Sequence, residues 1–108
     1  MLGQLFRVIF SRKAQRRLNQ INDYQEENVS VSNARKVSGE IRNAARKLER
    51  SPQAYPILPG TGDESEEIRY TKAWSYKLIF TVFKKLGEVV VVTIRHDKED
   101  PDDVLDDL

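Results

Sequence analysis

The chain has 108 residues, no cysteine, one histidine and a formal net charge of +1. That length suits one domain, residues 1–108, with a single two-layer core, and the missing cysteines exclude a disulfide framework and thiolate chemistry. The near-neutral sum hides a division: residues 1–50 carry 11 Lys and Arg against 5 Asp and Glu, and residues 51–108 carry 7 against 12. A basic first half points to an acidic partner, nucleic acid or an acidic protein surface, beside the plainer reading of a solvated helix face.

The opening stretch MLGQLFRVIFSRK has a short apolar patch interrupted by Arg7. It is shorter than a membrane span and lacks a signal-peptide pattern, so no membrane association and a cytoplasmic location are expected. Leu5 to Phe10 reads as a short strand. Ser11 is a candidate N-cap for a helix running to about Glu27, with Ala14, Leu18, Ile21 and Tyr24 as its apolar stripe. Asn28 to Asn33 breaks it, and Ser30, Ser32 or Asn33 can cap a second helix that runs to about Arg50. Ala34, Val37, Ile41, Ala44, Ala45 and Leu48 form its stripe, and the short connection makes the pair an antiparallel hairpin. Ser51-Pro52 stops it.

Residues 51–65 hold three prolines and two glycines and read as a crossing loop pinned by Tyr55, Ile57 and Leu58. Glu66 to Thr71 is the next strand, and Ala73-Trp74-Ser75 turns into a hairpin. Its first arm ends at Phe83; its second, Glu88 to Arg95, follows the turn Lys84-Lys85-Leu86-Gly87. Val89 to Ile94 is apolar on both faces, which fits a central strand covered on both sides. The tail from 99 to 108 is acidic. A short terminal helix through Val104, Leu105 and Leu108 and simple fraying are both open there. The expected fold is α+β, in the order β-α-α-β-β-β. The helical hairpin packs on one face of a small, mostly antiparallel sheet.

No P-loop, no dinucleotide-binding glycine motif and no zinc spacing is present, so neither a cofactor nor a metal is expected. The strand ends gather Arg69, Lys72, Lys77, Arg95 and Lys98, with Arg69 expected beside Lys77 across the strand pairing. Such a cluster suits RNA cleavage by a 2′-hydroxyl, which needs positive charge on a phosphorane-like transition state. His96 is the candidate to move a proton, and Tyr76 or Tyr70 to donate a hydrogen bond. Each type also has a plainer role: solvated cations, a core tyrosine, a locally bonded histidine.

The chain resembles the RelE/ParE superfamily of bacterial toxins from toxin–antitoxin modules. Phe10, Ser11, Ala14, Leu18, Ile21 and Tyr24 match the family's opening pattern, and Leu48 to Pro52 its helix end. Ile68-Arg69-Tyr70 with Ser75 to Phe80 is similar to its strand pair, and His96 to Asp100 to its closing motif. The resemblance implies a compact toxin, forming an oligomer with a cognate antitoxin that neutralises it. Two activities occur in the family: poisoning of DNA gyrase in ParE-like members, and metal-independent mRNA cleavage on the ribosome in RelE-like members. For a ribonuclease the candidate catalytic set is Arg69, Lys72, Lys77, His96 and Lys98; of these the resemblance carries over Lys77, Lys98 and, more loosely, Lys72. At two positions where ribonuclease members carry Arg, this chain has Lys77 and Lys98, and lysine lacks the bidentate fork that grips phosphate. That departure and the acidic tail favour the gyrase reading over the ribonuclease one, with a family member that has lost toxicity as a third. Ile57, Leu58, Ile79 and Phe83 are the expected antitoxin contacts, forming an apolar groove.

Overall fold

The computed structural model describes residues 5–58 and 68–97. Lys98, the acidic tail, the first residues of the strand expected from Glu66 and much of the crossing loop lie outside the described residues. Within them the chain forms β1 (Arg7–Phe10), α1 (Arg12–Asn28), α2 (Val31–Lys47), β2 (Ile68–Ala73), β3 (Tyr76–Phe83) and β4 (Glu88–His96), with one-turn 3₁₀ segments at Pro52–Ala54 and Lys84–Leu86. The sheet order is β1-β4-β3-β2. β1 runs parallel to β4, and the other two pairings are antiparallel. The expected α+β architecture is the observed one, and the strand with an apolar run on both faces is a central strand.

Ser11 caps α1 by accepting the Ala14 N–H at 3.0 Å, and Ser30 caps α2 by accepting the Asn33 N–H at 2.9 Å. The buried stripe of α1 is Ala14, Leu18 and Ile21. It continues onto part-buried Gln25, not onto Tyr24, which is 60% exposed. The alternation of four- and three-residue steps along a 3.6-residue helix carries the stripe past Tyr24, correcting the sequence expectation. α2 buries Ala34, Val37, Ile41 and Ala45, and ends at Lys47, three residues short of the expected Arg50. Arg50 instead forms an isolated bridge with Leu5.

These stripes meet Tyr76, Leu78, Phe80, Val89, Val91 and Ile94 from the sheet, and Phe6 just before β1, in one apolar core. A second, smaller cluster joins Leu58 and Ile79 with Ile68 and Tyr70. Along β4, Val91 pairs with Phe80 and Thr93 with Ile79, so Val92 is an extra residue with no partner in β3. Such a bulge bends the strand and switches which carbonyls face each neighbour. Ser11 answers it: its N–H donates to the Val91 carbonyl at 3.0 Å and its hydroxyl to the Val92 carbonyl at 2.7 Å. Arg17 Nε then donates to the Ile94 carbonyl at 3.0 Å. The sheet edge that β1 leaves uncovered is thus closed by α1 itself.

Gly87 sits at φ 64°, a left-handed turn position that glycine fills without a Cβ clash. Trp74 occupies the same region at φ 54° with a bulky side chain, between the paired residues Ala73 and Tyr76. Ser11→Ala removes both the helix cap and the donor to Val92. It is expected to lower the unfolding free energy by about 1–3 kcal/mol in urea denaturation; a loss below about 0.5 kcal/mol would contradict this role.

Candidate functional site

Cross-strand partners share a face of a sheet and successive residues alternate faces, so the register settles where each candidate side chain lies. Three rows face the helices: Ala73–Tyr76–His96, Thr71–Leu78–Ile94 and Arg69–Phe80–Val91. Three rows face the other way: Lys72–Lys77–Arg95, Tyr70–Ile79–Thr93 and Ile68–Thr81–Val90. The structure therefore separates Arg69 from Lys77. The tight connection through Trp74 and Ser75 puts Lys72 opposite Lys77, and three residues further along β2 this alternation carries Arg69 to the helix side, opposite Phe80.

Arg69 is occupied locally. Its guanidinium Nη1 donates to the Tyr55 carbonyl at 2.6 Å. The Tyr55 ring in turn meets Phe80 edge-on, with centroids 5.8 Å apart. Around it the segment 56–58 runs along the outer edge of β2: the Leu58 N–H donates to the Ile68 carbonyl at 2.7 Å and the Tyr70 N–H to the Pro56 carbonyl at 3.1 Å. Arg69 thus clamps the end of the crossing loop to the sheet. Edge-strand groups left open invite foreign pairing, and here this segment covers part of them.

His96 is also on the helix side. Its ring meets Tyr76 edge-on at 5.4 Å between centroids. The Tyr76 hydroxyl accepts from Gln25 Nε2 at 3.5 Å, and Gln25 Oε1 accepts from Asn33 Nδ2 at 2.6 Å. This chain of contacts ties the end of the sheet to the helical hairpin.

The opposite face carries a row of three cations, Lys72, Lys77 and Arg95, on three adjacent strands. Like charges directly opposed repel, and two features offset this. Lys77 Nζ lies 5.3 Å from the centroid of the Tyr70 ring, a cation–π contact. Lys72 Nζ lies 3.8 Å from Asp97 Oδ2, an exposed pair worth little by itself. Beside the row, the hydroxyl of fully buried Thr93 has no hydrogen-bond partner among the described residues. Electrostatically this face can receive an anionic or acidic surface. Sequence reasoning placed Arg95 at a strand end without including it in the catalytic set; its register opposite Lys77 is what brings it in.

The four expected antitoxin contacts do not form one groove. Leu58 is 8% exposed and Ile79 is fully buried, both inside the second apolar cluster. The loop end folding over the sheet has already filled the space expected for a partner. Ile57 and Phe83 are 49% and 45% exposed. Phe83 ends β3 beside the turn that carries Leu86, which is 70% exposed. Among the described residues no group of three His, Cys, Asp or Glu is placed to hold a metal ion, and no helix is long and apolar enough to cross a membrane.

A family model described as "ParE toxin of type II toxin-antitoxin system, parDE" matches residues 8–101. The chain belongs to this family, within the RelE/ParE superfamily of toxin–antitoxin toxins. Its fold is similar to that of a chain from the chromosomal ParDE toxin–antitoxin system of P. aeruginosa, with a TM-score of 0.69 and 18% identity, covering 87% of this chain and 98% of that one. It is also similar to a chain of the RelBE2 toxin–antitoxin complex of Mycobacterium tuberculosis, with a TM-score of 0.63 and 16% identity, covering 88% and 94%. No curated protein sequence matches.

Arg69→Ala is expected to cost about 1–3 kcal/mol of stability by releasing the Tyr55 carbonyl and the loop end, whereas Lys77→Ala should stay within about 0.5 kcal/mol. Parallel thermal and urea unfolding checks this; equal effects would contradict the assignment of the two residues to different roles.

Proposed function

We propose that this chain is the toxin of a type II module that acts by binding DNA gyrase and is neutralised by a cognate antitoxin. The observation that supports gyrase binding over RNA cleavage is the division of the candidate catalytic set. Arg69 and His96 face the helices, and Lys72 and Lys77 face the opposite side of the sheet. Acid–base cleavage needs a proton carrier and the charge-stabilising groups around one reacting phosphate. A protein-binding toxin needs only a surface, and the Lys72–Lys77–Arg95 row offers a cationic one. The same row is the feature that favours the second reading, a ribosome-dependent ribonuclease, since three cations can hold a phosphate.

An antitoxin partner is supported by the two neighbours named above, a ParDE system and a RelBE2 complex. Phe83, Leu86 and Ile57 are among the exposed apolar side chains it could cover. Phe83→Asp is expected to weaken co-purification with the antitoxin while leaving the melting temperature unchanged. Unaltered co-purification would remove Phe83 from the contact.

The deciding experiment adds purified toxin to two reactions, gyrase supercoiling of relaxed plasmid and translation of a defined message on ribosomes. Inhibited supercoiling with intact message is the expected result. Message cut in the ribosomal A site with normal supercoiling would overturn the proposal in favour of the ribonuclease. No effect in either reaction would overturn it in favour of a member that keeps only antitoxin binding.

A further inference from the structure

The sheet face turned away from the helices changes its chemistry from one end to the other. Nearest the β2–β3 turn stands the row Lys72–Lys77–Arg95. Next comes Tyr70–Ile79–Thr93, and beyond it Ile68–Thr81–Val90, which Ile9 extends onto β1. Ile68, Thr81, Val90 and Ile9 are all part-buried. Thr93 is fully buried on this face, although both helices pack on the other, and its hydroxyl has no hydrogen-bond partner among the described residues. A buried hydroxyl without a partner is destabilising, so this one points to a polar group brought over the face from elsewhere. β4 delivers the chain to the cationic end of the same face. The Asp97 N–H donates to the Ser75 carbonyl at 2.7 Å, and the Asp97 carboxylate lies 3.8 Å from Lys72 Nζ. Residues 99–108 then read EDPDDVLDDL, with six acids, no base and three apolar residues. Glu99, Asp100, Asp102 and Asp103 come before Val104 and Leu105. Starting from Asp97, the face has the matching order: cations first, apolar rows after.

We propose that residues 99–108 fold back over this face and screen its cationic row from other acidic surfaces. Glu99 to Asp103 lie on Lys72, Lys77 and Arg95, the backbone passes Thr93, and Val104 and Leu105 rest against Thr81 and Val90. Opposite charges in one row favour the contact, and the apolar pair adds buried area. The lengths agree. Ser75 to Thr81 along β3 is about 20 Å, and Asp97 to Val104 spans about 23 Å when extended. Asp100 precedes Pro101, which favours the extended backbone this path needs. The crossing loop is also acidic but is less well placed. Its two ends meet where the Leu58 N–H donates to the Ile68 carbonyl, at the other end of β2 from Lys72. The docking does not depend on which target the row serves, and its test contains no target.

The test uses the full chain. It has no cysteine, so Asp106→Cys takes a single nitroxide label. At low salt the label is expected to broaden the amide signals of Thr81 and Val90 strongly, and that of Ser38 in the helical layer little. The broadening at Thr81 and Val90 should vanish in about 1 M salt, where the screening length is about 3 Å, and in the pair Lys72→Glu with Lys77→Glu. Unshifted amide signals along α1 check that the pair keeps its fold. Broadening centred on Ser75 and Asp97 and equal over both faces of the sheet, or greatest on α1 and α2, would overturn the proposal. So would broadening of Thr81 and Val90 that survives the double substitution. A second measurement follows binding of a fluorescent polyglutamate peptide to the unlabelled chain by anisotropy. Replacing the four leading acids together (Glu99→Gln, Asp100→Asn, Asp102→Asn and Asp103→Asn) is expected to tighten binding about tenfold, and adding Lys77→Glu to remove the gain. Equal affinity of the original and the neutralised chain would overturn the screening.

Discussion

The carbonyl of Val92 has no partner strand residue beside it, and the fold is arranged around that fact. A central strand cannot leave backbone acceptors buried and unpaired without a cost of about 1–3 kcal/mol each. Ser11 supplies the donor, at the point where β1 ends and α1 begins, while its oxygen caps the helix. Arg17, in the second turn of α1, takes the Ile94 carbonyl in the same way. One bulge in β4 therefore determines where β1 stops, where α1 starts and how the helical hairpin lies on the sheet. The stripes of α1 and α2 then cover the face that carries Tyr76, Leu78, Phe80, Val91 and Ile94.

With β4 anchored on one side, the register passes outward through β3 to β2, and each row of side chains is assigned to a face. The two faces carry different chemistry. On the helix side, Arg69 and His96 serve the packing, one by clamping the loop end through Tyr55 and one by standing edge-on to Tyr76. On the far side, Lys72, Lys77 and Arg95 line up with a tyrosine ring under one of them.

Much of the fold was legible in the chain because each element carried a local signal. Ser11 and Ser30 announced their helices, the apolar run from Val89 to Ile94 announced a central strand, and Gly87 announced its turn. The order and the mostly antiparallel sheet followed from these. The bulge at Val92 was not legible: a run of four valines gives every position the same hydrophobic character, so no residue marks the extra one. Register was the second gap. Arg69 and Lys77 were expected side by side, but a turn built on Trp74 at positive φ has no residue signature of its own, and the face assignment of Arg69 depends on it. Leu58 and Ile79 misled in another way. Apolar residues on the face away from the helices read equally well as a partner groove or as a second small core, and the loop end settles which by folding over them. Arg95 gained its place only from being paired opposite Lys77.

The separation of the two faces is tested most directly by side-chain nuclear Overhauser contacts in solution. The account predicts cross-peaks from the Arg69 side chain to the rings of Tyr55 and Phe80, from Lys77 to the ring of Tyr70, and none between Arg69 and Lys77. Cross-peaks joining Arg69 directly to Lys77 would place both on one face and contradict it.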